Sequence, residues 1–281
     1  MKFWLGASFC DTGEFLELAR VAERCGFDTL TLSDHLFYAD FATPYPYSRS
    51  GRPRWNAATH WPDVWVTIGA MAAVTSALRF APNVYIAPAR DLFTVAKQVS
   101  TAAVLSGDRV TFGVGVGWCE EEFAATGQDF RTRGKRLDAM IPRLRELWSG
   151  AEVDLPELPP LSISPTPSEK IPIYVGGDSP AALRRASAVG DGWIGNRIYT
   201  EEQLDEVLPH LPRRDDFEII APLAVLPDAD TYRRFADKGV TGTMAAPWWL
   251  ATEEEKAKYG PLELKIATME RFAEEVIAKV R

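Results

Sequence analysis

The sequence predicts an α/β fold of the (β/α)8 TIM-barrel type, a single domain over residues 1–281. Three observations carry this expectation. Segments with strand character and segments with helix character alternate strictly, eight of each, and strict alternation means parallel strands joined by helical crossovers. The length of 281 residues matches the roughly 250 that eight such units occupy. The glycine-rich turn at Gly113, Gly115 and Gly117 follows the fourth strand. An open dinucleotide-binding sheet, the main alternative, would place it after the first.

Residues 3–9 read as the first strand. Asp11 and Glu14 then have capping-box spacing. Phe15, Leu18, Ala19 and Ala22 follow at helical spacing, and Gly26 closes the helix. Residues 28–33 alternate as a strand. Residues 34–61 form a loop rich in Tyr, Pro, Arg and Trp, and a loop this long in a compact domain is functional or disordered. Helices are predicted over 63–75, 93–105 and 133–148, with strands over 79–87 and 109–116 between them. The five prolines of residues 151–170 mark an excursion between the fourth and fifth strands. The rhythm resumes with strands over 171–175, 192–195, 217–225 and 240–245. Helices over 180–189, 201–208, 231–238 and 264–280 alternate with them.

Composition narrows the function classes. Apolar residues make up 46% and charged residues 25%, as in soluble globular domains. The net charge is −8 with the basic residues dispersed, which argues against a nucleic-acid surface. No segment approaches the ~20 apolar residues of a membrane span. The N-terminal apolar run is too short for a secretory leader, so a cytoplasmic location is expected. Three separated cysteines give neither a disulfide framework nor a metal pattern. His35, His60 and His210 show no HxH or HExxH spacing, so no metal site is expected and a metal-dependent barrel hydrolase is poorly supported.

Three motifs bear chemistry. Glycines at a strand's C-terminal end let backbone approach a flat ligand, because no Cβ stands in the way. Gly176, Gly177, Asp178 and Ser179 join a strand to a helix. Backbone N–H groups there form a phosphate site, although an ordinary N-capped turn uses the same residues. Asp34 and His35 lie just past the second strand, at the end of the barrel where catalytic groups gather. Residue type alone favours a turn cap for Asp34 and loop packing for His35. Trp55, Trp61, Trp118, Trp248 and Trp249 lie on predicted loops and either line a pocket or plug the barrel end.

Four blocks together resemble the bacterial luciferase-like flavin and deazaflavin oxidoreductases, most closely their coenzyme F420-dependent branch. They are Ala22-Glu-Arg-Cys-Gly-Phe-Asp28 with Ser33-Asp-His35; Ala96-Lys-Gln-Val99 through Leu105-Ser-Gly-Asp-Arg109; Gly113-Val-Gly-Val-Gly-Trp118 with Glu121-Glu-Phe123; and Ile173-Tyr-Val-Gly-Gly-Asp-Ser-Pro180 with Gly190-Asp-Gly-Trp193. Their order and spacing match from Lys2 to about Trp193. Beyond that only the strand–helix rhythm is similar.

The resemblance implies an F420-dependent oxidoreductase acting on a small organic substrate, with an FMN-dependent two-component monooxygenase as the alternative. It implies that His35 moves or stabilises a proton during hydride transfer, a task suited to imidazole near neutral pH. Asp34 would fix the His35 tautomer or touch the cofactor. Gly176, Gly177 and Ser179 would hold the cofactor phosphate. Gly115, Gly117 and Ile194 would border its ring, and Asn83-Val84 would be a non-proline cis peptide behind it. Arg49, Arg52, Arg54 and Arg90 would meet the acidic tail.

One departure stands out. Sugar-phosphate-oxidising relatives carry a Glu directly after the glycine turn, where this chain has Trp118. No second acid is therefore assigned, although Glu120, Glu121 and Glu122 lie close by in sequence. Trp118, with Tyr45, Tyr47, Trp55 and Trp248, would wall an apolar substrate. A homodimer and a separate cofactor reductase are the partners the resemblance implies. A barrel that binds ligand without catalysis is the remaining alternative.

Overall fold

The computed structural model describes residues 1–225 and 228–281. Its strands are β1 Lys2–Gly6, β2 Thr29–Leu32, β3 Arg79–Pro82, β4 Phe112–Val114, β5 Ile173–Gly176, β6 Gly192–Ile194, β7 Glu218–Ile220 and β8 Gly242–Ala245. All neighbouring pairs are parallel, in the order β3-β2-β1-β8-β7-β6-β5-β4. The parallel bridges Phe80–Val110 and Tyr85–Val114 join β3 to β4 and close the ring. The expected barrel is present.

The crossover helices are α1 Phe15–Arg24, α2 Val64–Ala72 and α3 Leu92–Ser106. Short α4 Glu120–Ala125 precedes α5 Arg133–Trp148. Then come α6 Pro180–Val189, α7 Glu201–Val207, α8 Ala229–Asp237, short α9 Glu253–Lys258 and α10 Pro261–Phe272, which runs on as a π turn over Ala273–Ile277. α5 and α6 have the predicted bounds. The predicted capping box forms: Gly13 N–H donates to Asp11 Oδ1 at 2.8 Å, and Asp11 N–H to Glu14 Oε2 at 3.3 Å. The first turn it caps is a 3-10 turn, Thr12–Glu14. Gly26 at φ 76° ends the helix, as a left-handed position asks of glycine.

Two helices, α4 and α9, lie where loop was expected. The strands are shorter than predicted because apolar alternation continues into the loops beyond the last ladder bond. β3 stops at Pro82, which has no N–H to donate. A cis peptide follows at Asn83-Val84, and the chain rejoins the sheet at Tyr85, whose N–H donates to Gly113 O at 2.8 Å. The excursion over residues 151–170 is held by one antiparallel bridge, Val153–Leu161.

Two layers of core result. Phe3, Leu5, Leu30, Phe80, Phe112 and Ile173 point outward under the helices. Trp4, Ala81, Tyr174, Ile194 and Ile220 fill the barrel's interior, with Trp4 stacked on Tyr174 at 5.9 Å. The interior is packed solid, as barrels of this size are, so any ligand must sit at the C-terminal mouth.

Candidate active site

At that mouth a cavity of about 500 Å³ is bordered by His35, Val84, Gly115, Trp118, Gly177 and Ser179, among others. The expected residues after β2, β3, β4 and β5 therefore converge.

The glycine turn is shaped by the neighbouring strand. A Cβ on Gly113 would lie 2.0 Å from Pro82 O, one on Gly115 2.4 Å from Val84 Cγ2, and one on Gly117 2.7 Å from Ile86 Cγ2. Alternate glycines face alternate residues 82, 84 and 86. A Cβ on Gly176 would meet Val84 Cγ1 at 2.5 Å. Gly115 and Gly176 thus close on the Val84 side chain, which borders the cavity. The sequence reading gave these glycines to a flat ligand. The structure gives their space first to Val84, which then forms part of the surface a ligand meets. Ser33 Oγ, bonded to Ser8 Oγ at 2.8 Å, donates to Asn83 O at 3.1 Å and steadies the same corner.

Asp34 does not touch the His35 ring. Its carboxylate takes both Arg90 guanidinium nitrogens, at 2.7 and 2.8 Å, and the Ile86 N–H at 2.9 Å. Arg90 also lies over the Tyr85 ring at 4.3 Å. Burial works against the Arg90 charge, but Asp34 outweighs it and raises the pKa of Arg90. This bidentate pair fastens the β2–α2 loop to the β3–α3 loop. It engages both Asp34 and Arg90, so neither the tautomer role for Asp34 nor the cofactor-tail role for Arg90 matches the geometry.

The tautomer role falls to Glu122. Its Oε1 lies 2.9 Å from His35 Nδ1 and accepts the Leu36 N–H at 3.0 Å. Glu122 is 3% exposed. An oxygen that already accepts a backbone N–H accepts again from the ring, so the network assigns the proton to Nδ1 and leaves Nε2 as the basic nitrogen of neutral His35. Among the described residues nothing bonds to Nε2. The ring is enclosed by Trp55, Trp61 and Trp118, at centroid distances of 4.7, 4.9 and 5.8 Å. Tyr45 packs edge-on to Trp55 and Trp118.

Glu121, next to Glu122 on α4, turns the other way. Its Oε1 accepts the N–H groups of Ala42 and Thr43 at 2.7 and 2.9 Å. Burial alone would raise its carboxyl, but the Thr43 N–H and further donors outweigh it and hold the group down at about 2. The α4 carboxylates therefore pin the aromatic loop at residues 35–36 and 42–43. The Cys119 thiol beside them is pushed up to about 12, chiefly by burial, and is no nucleophile.

The other end of the cavity is polar. Gly177 has φ 107°, its carbonyl accepts the Trp193 indole N–H at 2.7 Å, and Ser179 caps α6 through Ala182 N–H at 3.2 Å. Arg133, which sequence reasoning missed, also borders the cavity. It donates to Gly117 O at 3.2 Å and lies 3.7 Å over the Phe130 ring. Arg49 and Arg52 are exposed on the loop. Ile194 is fully buried one layer down, beneath Gly113. Trp248 packs against the main core, and its neighbour Trp249 turns to the barrel mouth instead. Among the described residues no cluster of three or more metal-type ligands occurs, and no helix is long and apolar enough to cross a membrane.

A closed parallel barrel thus gathers His35, Val84 and the N-terminus of α6 around one cavity at its mouth. The family model for luciferase-like monooxygenases matches residues 6–231, and the chain belongs to that family. An uncharacterised protein of Mycobacterium tuberculosis is 33% identical over the full length of both chains. The F420-dependent glucose-6-phosphate dehydrogenase of Microbacterium testaceum is 29% identical over 94% of this chain and 76% of its own. The coenzyme F420-dependent tetrahydromethanopterin reductase of Methanopyrus kandleri shares the fold, with a TM-score of 0.75 at 14% identity, covering 100% of this chain and 99% of that one. A monooxygenase of Streptomyces bottropensis does so with a TM-score of 0.69 at 18% identity, over all of both chains.

Proposed function

We propose that this protein is an F420-dependent oxidoreductase that moves hydride between the deazaflavin and an apolar organic substrate. The observation that carries the reading is the buried His35–Glu122 pair, set at the same cavity as Val84 and the α6 N-terminus. The residues fit such a group. Val84 between Gly115 and Gly176 offers a flat apolar floor. Gly177, Ser179 and the first turn of α6 offer N–H groups and a helix dipole to a phosphate.

When bound, the deazaflavin supplies the hydride donor or acceptor. His35 handles the proton: with Nδ1–H held by Glu122, Nε2 accepts a proton from a substrate that is oxidised and, once protonated, returns one to a substrate that is reduced. Trp55, Trp61 and Trp118 exclude water from that exchange. Trp118 stands where sugar-phosphate oxidisers carry a Glu, and its apolar ring argues against a sugar phosphate. The same aromatic enclosure suits an FMN enzyme that uses oxygen, which keeps that second reading in view.

Equilibrium titration with F420 and with FMN, followed by fluorescence, tests the reading. Tight F420 and weak FMN binding is expected, and the reverse order moves the protein to the monooxygenases. His35→Ala is expected to keep F420 affinity while turnover falls ~10²–10⁴-fold. Gly177→Val is expected to weaken the cofactor, because φ 107° disfavours a side chain and its Cβ would sit 3.2 Å from Ala182 Cβ. Unchanged affinity there would remove the phosphate assignment.

A further inference from the structure

Beside the cavity described above lies a second one of about 540 Å³, over the C-terminal ends of β6, β7 and β8. Phe9, Tyr45 and Tyr47 line both and stand between them. Ser8 and Asn83 also line both, so the chambers meet beside the cis peptide. The walls of the second chamber are mainly apolar, including Leu223, Met244 and Ala246. At its rim Ile198, Trp249 and Leu250 are 63%, 61% and 49% exposed. Large apolar side chains gathered around an opening mark a binding mouth more than a bare surface.

The charges there are one-sided. The chain has a net charge of −8, yet among the described residues the lining of this chamber holds no Asp, Glu or Lys, and two arginines, Arg54 and Arg197. Arg197 is matched by Asp178 at 2.7 Å. Arg54 donates to the Tyr47 carbonyl at 3.0 Å and, among the described residues, makes no ion pair. One guanidinium without an ion pair among the described residues thus stands at the edge of an apolar chamber, between it and an adjoining pocket that Asp11 and Glu14 also border, and the volume of the chamber suits a ligand of drug size.

From this chamber we infer a substrate class, resting on the oxidoreductase reading above: an elongated apolar molecule with one anionic group. The anionic group meets Arg54, the body lies along Leu223 and Ala246 under Trp249, and the reacting end reaches the first cavity past Ser8 and Asn83.

The test uses the ligand-free protein and two fluorescent probes of similar shape, anionic anilinonaphthalene sulfonate and neutral N-phenylnaphthylamine. Saturable one-to-one binding of both is expected, with the anionic probe about two- to fivefold tighter, the worth of an exposed ion pair. Arg54→Ala is expected to remove that preference. Ala246→Trp and, separately, Leu223→Trp are expected to abolish binding of both probes while thermal unfolding shows a folded protein. Undiminished probe binding in both folded tryptophan variants would overturn the site. Equal affinity for the two probes, unmoved by Arg54→Ala, would overturn the anionic group. The same samples are titrated with F420 and FMN. If neither binds the wild type while the probes behave as expected, the oxidoreductase reading fails and the chamber stands.

Discussion

Replacing Glu122 separates two jobs that one carboxylate performs. Oε1 accepts the Leu36 N–H at 3.0 Å and faces His35 Nδ1 at 2.9 Å, and the glutamate is 3% exposed. Glu122→Gln keeps an acceptor in place but makes both bonds neutral, a loss of about 1 kcal/mol each and ~2 kcal/mol together. Glu122→Ala leaves two donors without an acceptor in a shielded position, at about 1–3 kcal/mol each, or ~2–6 kcal/mol. Urea unfolding should therefore order the three proteins as wild type, then Gln, then Ala. The second job is the tautomer. With three histidines in the chain, ¹⁵N spectra of the imidazoles are assignable by substitution, and neutral His35 is expected with its proton on Nδ1. In Glu122→Ala that preference disappears. A wild-type His35 carrying its proton on Nε2, or an alanine variant as stable as wild type, would refute the dyad. Neither readout needs a known substrate.

Three further outcomes follow from the same geometry. Glu121 titrates lower in the folded state, about 2, than its ordinary 4.5. Its contribution to loop order is therefore complete above pH ~4.5 and is lost as pH falls toward 2; tryptophan fluorescence should show this transition in the wild type and lack it in Glu121→Gln, and identical profiles would dismiss the latch. Gly113→Ala drives a Cβ to 2.0 Å from Pro82 O and should cost ~3 kcal/mol or more, whereas Gly69→Ala, with nothing within 4 Å in α2, should be neutral or stabilise by up to ~1 kcal/mol; equal unfolding midpoints for the two variants would contradict the packing argument. Arg90→Met strands the buried Asp34 charge and should cost about 3–5 kcal/mol, much of it recovered in the Asp34→Leu/Arg90→Met double variant; a single-variant cost under ~1 kcal/mol would show the pair to be unimportant.

The barrel was legible because its evidence is local. Apolar periodicity switches between strand and helix within a few residues, and the α5 and α6 bounds needed nothing more. The α9 start was legible too, since Thr252 and Glu255 have capping-box spacing, but it was not read. What the sequence could not show is the phase of an element against its neighbours. Glu121 and Glu122 are about 100° apart on α4, so one reaches the imidazole and the other the loop, and no single-sequence pattern says which. Trp248 and Trp249 divide in the same way between core and mouth. The glycine turn was legible as a place of close approach, but not what approaches: its partners at positions 82, 84 and 86 lie about 30 residues away in the chain.

The geometry makes α4 the element on which the site depends. The loop over residues 34–61 has few backbone bonds of its own, and its order comes from what grips it. Asp34 fixes its base to Arg90, Glu122 fixes residues 35–36, and Glu121 fixes residues 42–43. Beyond those points the loop carries Tyr45 and Tyr47, which stand between the two chambers, and Trp55, which packs on His35. The imidazole's orientation, the exclusion of water and the wall between the chambers are therefore consequences of one closed loop. The run Glu120-Glu-Glu122, which composition alone would read as a solvated helix start, supplies two of its three fastenings. Trp118, directly after the glycine turn, takes part in the aromatic enclosure, and the carboxylate that meets His35, Glu122, comes from the following helix.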